Sequence, residues 1–138
     1  MSMCNSNKPR KDKNMFCKSD KKQRGFWGWW KGKIAEHIAV ILLILKGYRI
    51  LQCRYKTHVG EIDIIATRGK LLIMVEVKYR PNLLQASESV TFQQRKRIEK
   101  TSTYFLSHFP HFVNHSIRYD VILLTSNHWP VHLKGAWL

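Results

Sequence analysis

The sequence predicts an α/β fold, a central mixed sheet flanked by helices. Three observations predict it. The elements follow the order helix, three strands, helix, strand, strand. Two of the strands, Leu71–Tyr79 and Arg118–Thr125, contain runs that are apolar at successive positions, Leu71 to Val75 and Val121 to Leu124. Such runs suit strands covered on both faces, as in the middle of a sheet with helices above and below.

Taken in order, Ile34, Ile38, Ile41, Leu42 and Leu45 recur at helical spacing, and Gly47 stops the first helix. Tyr48 to Tyr55 reads as a strand, Gly60 marks a turn, and Glu61 to Thr67 alternates before Arg68, Gly69 and Lys70 turn the chain tightly. Leu71 to Tyr79 returns as the central strand. Pro81 to Ser89 is a polar loop, and Thr91 can cap a helix that runs to Phe109 and is ended by Pro110. Arg118 to Thr125 is the next strand, and Val131 to Trp137 is expected at an edge.

Composition narrows the function classes. Lysine and arginine number 24 against 9 acidic residues, a formal charge of +15 that points to a polyanion or a strongly anionic surface. Residues 1–33 hold 10 basic and 2 acidic side chains, and the remainder is still basic. Residues 1–24 have too few apolar side chains to offset ordering entropy, so the reading is a basic, disordered tail over 1–24 and a single domain over 25–138. The tail fits a phosphate-binding arm or a solubilising extension equally well. Cys4, Cys17 and Cys53 are odd in number and widely spaced, which suits neither a disulfide framework nor a zinc site. The apolar stretch from Ile34 to Leu45 is interrupted by Glu36 and His37 and is shorter than the roughly 20 residues that span a bilayer. The expected setting is therefore the cytoplasm, without membrane insertion.

Acidic residues carry the sharper signal. Of those after position 33, Glu36, Glu61, Asp63 and Glu76 lie in or beside apolar segments, where a carboxylate is costly to bury. Residues two apart share a strand face, so Glu61 and Asp63 point together, as do Glu76 and Lys78 one tight turn later. Two carboxylates and an ammonium can thus converge. Asp63 and Glu76 offer hard oxygen ligands for Mg²⁺ or Mn²⁺, which can lower the pKa of a bound water and shield a phosphate. Lys78 is then placed to position that water or stabilise transition-state charge. Glu36 fits a further metal ligand and Glu61 a supporting role behind the ligands. The alternative is a plain ion pair between strands, which explains a Glu-x-Lys alone but not three charged groups near a sheet core.

The motifs Lys31-Gly32-Lys33-Ile34-Ala35-Glu36, Gly47-Tyr48-Arg49, Gly60-Glu61-Ile62-Asp63, Val75-Glu76-Val77-Lys78, Ser89-Val90-Thr91 and Arg118-Tyr119-Asp120-Val121 occur in that order. Together they resemble the bacterial YraN family over roughly residues 31–125. That resemblance implies a restriction-endonuclease-like fold and a PD-(D/E)xK site, with Asp63, Glu76 and Lys78 at the metal and catalytic positions and Glu36 as a frequent extra ligand. It implies phosphodiester hydrolysis, structure-selective as in the related archaeal junction resolvases, and leaves a homodimer open. The sequence departs from the family at Gln94, where lysine is usual, and at Cys53, where asparagine is favoured.

Arg95, Lys96, Arg97 and Lys100 are expected to grip a phosphate backbone with little base specificity, with Arg54, Lys56, His58 and Arg80 extending the surface and DNA placed ahead of RNA. By the same resemblance, Gln94 either keeps the lysine's contact with the scissile phosphate or marks its weakening. Two rival classes stay open. One is a non-catalytic nucleic-acid-binding protein that retains the fold. The other is a peripheral membrane protein anchored by the basic, Trp-rich segment 24–33. Phe26, Trp27, Trp29 and Trp30 suit either stacking on unpaired bases or docking on the core, and core docking is the commoner use. His108, His111 and His115 read as ordinary histidines, and Asp120 with Arg118 as a structural pair.

Overall fold

The computed structural model describes residues 32–81 and 90–137. The tail over 1–24, the cluster Phe26, Trp27, Trp29 and Trp30, Cys4, Cys17 and the loop after Pro81 lie outside the described residues. Residues 32–45 are helical (α1). Three strands follow, β1 (Arg49–Thr57), β2 (Gly60–Arg68) and β3 (Leu71–Tyr79), then α2 (Phe92–His108), β4 (Ser116–Leu124) and β5 (Val131–Trp137). Among the described residues the strands form one five-stranded sheet in the order β1-β2-β3-β4-β5. The β3–β4 pair is parallel and the others are antiparallel, because α2 carries the chain back across the sheet between β3 and β4. This is a mixed sheet with helices on it, and β3 is its central strand.

The apolar run of β3 serves both faces, as its unbroken hydrophobicity implies. Leu72 and Met74 join Ile98 and Phe105 of α2, whereas Ile73 and Val75 join Ala35, Ala39 and Leu43 of α1. Burying each Ile or Leu side chain contributes about 1.5–3 kcal/mol. The face that α1 buries differs from the apolar spacing that marks the helix in the sequence. Ala35, Ala39 and Leu43 are buried, while Ile34, Ile38, Ile41 and Leu45 are exposed, Leu45 at 80%. Two alanines one turn apart let the helix axis approach the sheet closely, which outweighs the larger area of the isoleucines.

Thr91 caps α2 as its position suggests. Its side chain accepts from the Gln94 backbone N–H at 3.2 Å, and the Gln94 side-chain oxygen accepts from the Thr91 N–H at 3.1 Å. The start of β2 lies hard against this helix. A Cβ on Gly60 would stand 2.7 Å from Thr101 Oγ1 and 3.2 Å from the Arg97 carbonyl oxygen, so helix backbone would have to move. Gly60→Ala is expected to cost about 1–3 kcal/mol and to shift α2 outward. Chemical denaturation checks this, and an unchanged midpoint would contradict the close approach.

A polar cluster is sealed between β4 and β5. Asp120 is fully buried. Its carboxylate accepts from Arg118 Nε and Nη2, both at 2.8 Å, from His132 Nε2 at 2.8 Å and from the Gly135 N–H at 3.0 Å. Lys46 Nζ lies 3.1 Å from His132 Nδ1. An ammonium only donates, so Nδ1 accepts and the proton facing Asp120 sits on Nε2. Arg118 also donates to the Tyr48 hydroxyl at 2.9 Å. The structural pair expected at Arg118 and Asp120 is present, enlarged by His132, Lys46 and Tyr48.

Candidate active site

β2 and β3 pair as far as Ile64 and Val75. Asp63 and Glu76 are the next residues in that register, so the ladder ends where the two carboxylates begin. Asp63 takes over a backbone role there: its Oδ2 accepts from the Val77 N–H at 2.8 Å. Alternation along β3 places Glu76 and Lys78 on the same side as Met74, the α2 side. Lys78 Nζ donates to Glu76 Oε1 at 2.9 Å, with both side chains only 13% exposed. The opening at this point is a pocket of about 400 Å³ lined by Glu61, Asp63 and Glu76 from the sheet, Gln94, Arg97 and Ile98 from α2, and Lys56, Thr57 and Gly60 from the hairpin.

The electrostatics of the pair are unfavourable as it stands. Burial, and next the charge of Glu76, push the Asp63 carboxyl up to about 7, against the Val77 N–H that favours its anion. Glu36 adds to the upward push. Among the described residues no three His, Cys, Asp or Glu side chains gather as a ready-made metal cage. A carboxylate pair opening on a pocket fits an ion that takes one or two carboxylates and keeps several waters, as Mg²⁺ does.

The same crowding sets a stability signature. Because the folded Asp63 carboxyl lies above its ordinary 3.8, its contribution favours the folded state while it stays protonated and is lost as pH rises toward about 7. Asp63→Asn is therefore expected to stabilise the metal-free protein by about 1–2 kcal/mol at pH 8 and hardly at pH 4. Thermal melts in EDTA at the two pH values check this. An equal effect at both would remove the electrostatic account.

Glu36 stands beside this pocket without lining it. Arg54 holds its carboxylate with two bonds, Nε to Oε2 at 2.8 Å and Nη2 to Oε1 at 3.1 Å. Arg54 falls opposite Asp63 in the β1–β2 register and has a φ of +53°. A left-handed arginine in a strand costs about 1–2 kcal/mol, so the clamp on Glu36 is set in strained backbone. Arg54, expected on the phosphate-binding surface, is instead engaged by Glu36; the strain comes only with the folded register.

The other expected site residues separate. Lys56 lines the pocket and pairs with Glu61 at 3.6 Å. Gln94 lines it too; its side-chain oxygen is taken by the Thr91 cap, which leaves the amide nitrogen, a donor, for an anion. Arg97 lines the pocket and also an adjoining groove with Lys96 and Lys100. Arg95 turns away from them and stands over the Trp137 ring at 5.7 Å. Arg80 donates to the Tyr79 carbonyl at 2.8 Å and lines neither opening. The histidines pack on aromatic rings, His108 on Tyr104 at 4.3 Å and His111 and His115 on Phe112 at 4.0 and 5.1 Å. Cys53 is a free, exposed thiol. Among the described residues no helix is long and apolar enough to cross a membrane.

Fold and site together define an α/β protein whose mixed sheet opens, beneath a cationic helix, onto a half-buried cluster of two carboxylates and a lysine. The chain belongs to the uncharacterised protein family UPF0102, whose profile matches residues 35–124. It is 43% identical over 106 residues to a UPF0102 protein of Parvibaculum lavamentivorans, covering 77% of this chain and 80% of that one. It is 45% identical over 107 residues to a UPF0102 protein of Chelativorans sp., covering 78% and 86%. With UPF0102 protein R00337 of Rhizobium meliloti it shares 47% identity over 107 residues, 78% of this chain and 88% of that one. The matched span of the family profile takes in Glu36, Asp63, Glu76, Lys78 and Gln94.

Proposed function

We propose that this chain is a divalent-metal-dependent nuclease of the restriction-endonuclease-like kind, the YraN-type reading of its motifs, hydrolysing phosphodiester bonds in DNA. One observation carries the reading: Asp63 and Glu76 meet where the β2–β3 ladder ends and line a pocket whose other wall is the basic helix α2, while Lys78, not itself in the pocket lining, lies 2.9 Å from Glu76. A structural ion pair needs one carboxylate for one lysine. Here a second carboxylate is added at the same point, raising the charge that burial already penalises. Asp63 and Glu76 would hold Mg²⁺ or Mn²⁺, which would supply Lewis-acid activation of water and charge neutralisation at the phosphate.

The chain's own groups do the rest. The Val77 N–H holds Oδ2 of the Asp63 carboxylate and so sets the orientation of the group beside Glu76. Lys78, held by Glu76, stabilises negative charge that develops on the phosphate oxygens. Arg97 and the Gln94 amide nitrogen, both at the pocket wall, hold the phosphate ester in place. Glu61 keeps Lys56 at the rim, where it meets the next phosphate.

Labelled duplex, single-stranded, flap and four-way-junction DNA, incubated with purified protein and Mg²⁺, Mn²⁺ or EDTA, tests the reading and finds the preferred structure. Cutting is expected with either ion and none in EDTA. A second reading, a nucleic-acid-binding protein without turnover, draws on the internal pairing of Lys78 with Glu76 and of Arg54 with Glu36. It predicts binding to the same DNAs with no product under any condition, and equal binding by Lys78→Ala.

A further inference from the structure

We infer that the groove beside the carboxylate pocket holds one unpaired nucleotide of the substrate, its base stacked on Phe92 and its phosphates on Lys96, Arg97 and Lys100. The inference rests on the nucleic-acid reading of the site and names the substrate class: DNA with an unpaired base next to the bond that is cut.

The groove has a volume of about 450 Å³ and is lined by Val59, Phe92, Gln93, Lys96, Arg97 and Lys100, with no acidic residue among them. That volume is within the roughly 300–1,000 Å³ of small-ligand sites. Phe92, the first residue of α2, leaves 72% of its surface exposed. A phenylalanine so exposed forgoes the burial energy that usually places it in a core. Lys96 Nζ stands 5.5 Å from the centre of the Phe92 ring while it donates to Glu99 at 3.1 Å. The ring is therefore flanked by a held cation, with its remaining surface open. Arg97 lines both this groove and the carboxylate pocket, so the two are neighbours along one wall of α2.

An occupant must offer a flat π face to Phe92 and negative charge to three cations. A nucleotide offers both, since stacking on aromatic side chains beside a cationic track is how single strands are held. An anionic lipid headgroup or an acidic peptide can meet the cations but gives the ring no matching face. Bases within an intact duplex already have both faces stacked. The ring therefore selects single strands, flaps or junctions over continuous duplex.

The test is binding in EDTA, with an Asp63→Asn protein and oligonucleotides carrying 2-aminopurine in a single-stranded or in a fully paired stretch. Single-stranded probe is expected to bind with quenched fluorescence; Phe92→Ala is expected to weaken it roughly tenfold and remove the quench, and Phe92→Trp to restore both. Duplex affinity should change less than twofold between these proteins, and the salt dependence should fall by about one ion for Lys100→Ala but not for Phe92→Ala. Wild-type affinity for the single-stranded probe in Phe92→Ala overturns the inference, as does Phe92-dependent binding of equal strength to phosphatidylglycerol vesicles. The binding readout is independent of cleavage, which is assayed separately. Phe92-dependent binding by a protein that never cuts would sustain this inference and remove the nuclease, whereas cutting that is indifferent to Phe92 would do the reverse.

Discussion

Glu76→Gln and Lys78→Ala are each expected to lower the single-turnover rate of Mg²⁺-dependent cleavage by at least 100-fold, with DNA affinity in EDTA changed by less than threefold. The size follows from what each removes. For Lys78, a pre-placed cation that meets developing negative charge in a site screened from water is worth about 2.7–4 kcal/mol; Glu76→Gln instead removes a carboxylate charge that would hold the ion. Lys78 and Glu76 are each only 13% exposed, so water replaces neither of them well. Glu76→Gln keeps the volume and a hydrogen-bonding oxygen for Lys78, so its loss reports the charge. Lys78→Arg is a useful companion, because a guanidinium keeps the charge and changes its reach. Quench-flow or gel-based rates with enzyme in excess separate chemistry from binding. Rates within fivefold of wild type in both variants would mean that the cluster is an ion pair and no more.

Asp120→Ala is expected to destabilise the fold by about 3–5 kcal/mol. Removing one member of a buried, hydrogen-bonded charge cluster leaves the others desolvated and unpaired. Here those others are Arg118, His132 and the Gly135 amide, all directed at one carboxylate. Burial alone pushes Asp120 up, but hydrogen bonds from Arg118, His132 and Gly135 outweigh it and hold the carboxyl well below the usual carboxylate range. The sign follows from that depression: the stabilisation is present above the ordinary carboxylate pKa of about 4 and is lost as pH falls below it. Urea melts of wild type at pH 7 and pH 3 should therefore differ by more than those of Asp120→Asn. A variant as stable as wild type at pH 7 would show that the cluster is not a keystone of the β4–β5 edge.

The strands were legible because their signals are local. Gly69 lies in the left-handed region with a φ of +60°, where the turn needs it, and the apolar runs of β3 and β4 reveal burial on both faces. Asp63, Glu76 and Lys78 were legible for the same reason: strand alternation and one tight turn are enough to bring them together. What the sequence hides depends on contacts between distant elements. The exposed face of α1 was unreadable because close approach through Ala35 and Ala39 competes with hydrophobic spacing, and only the sheet decides between them. Arg54 acquires its hold on Glu36 from the β1–β2 register and a left-handed backbone, neither of which composition records. Arg95 sits within a run of cations yet stands over Trp137, far away in sequence, because a helix turns successive residues about 100° apart. Phe92 carries no distinguishing signal in the sequence; its exposure follows from its place on the first turn of α2.

The central claim, that the Asp63–Glu76 pair binds a divalent ion and turns it to phosphodiester cleavage, is tested most directly by a metal jump. Protein and end-labelled flap or junction DNA are mixed to saturation in EDTA, excess Mg²⁺ is added, and product is followed in wild type and Asp63→Ala. The account predicts a discrete cut in wild type that begins with the ion, and none in Asp63→Ala despite equal binding beforehand. Bound DNA that stays whole in wild type, or is cut as fast by Asp63→Ala, would contradict it.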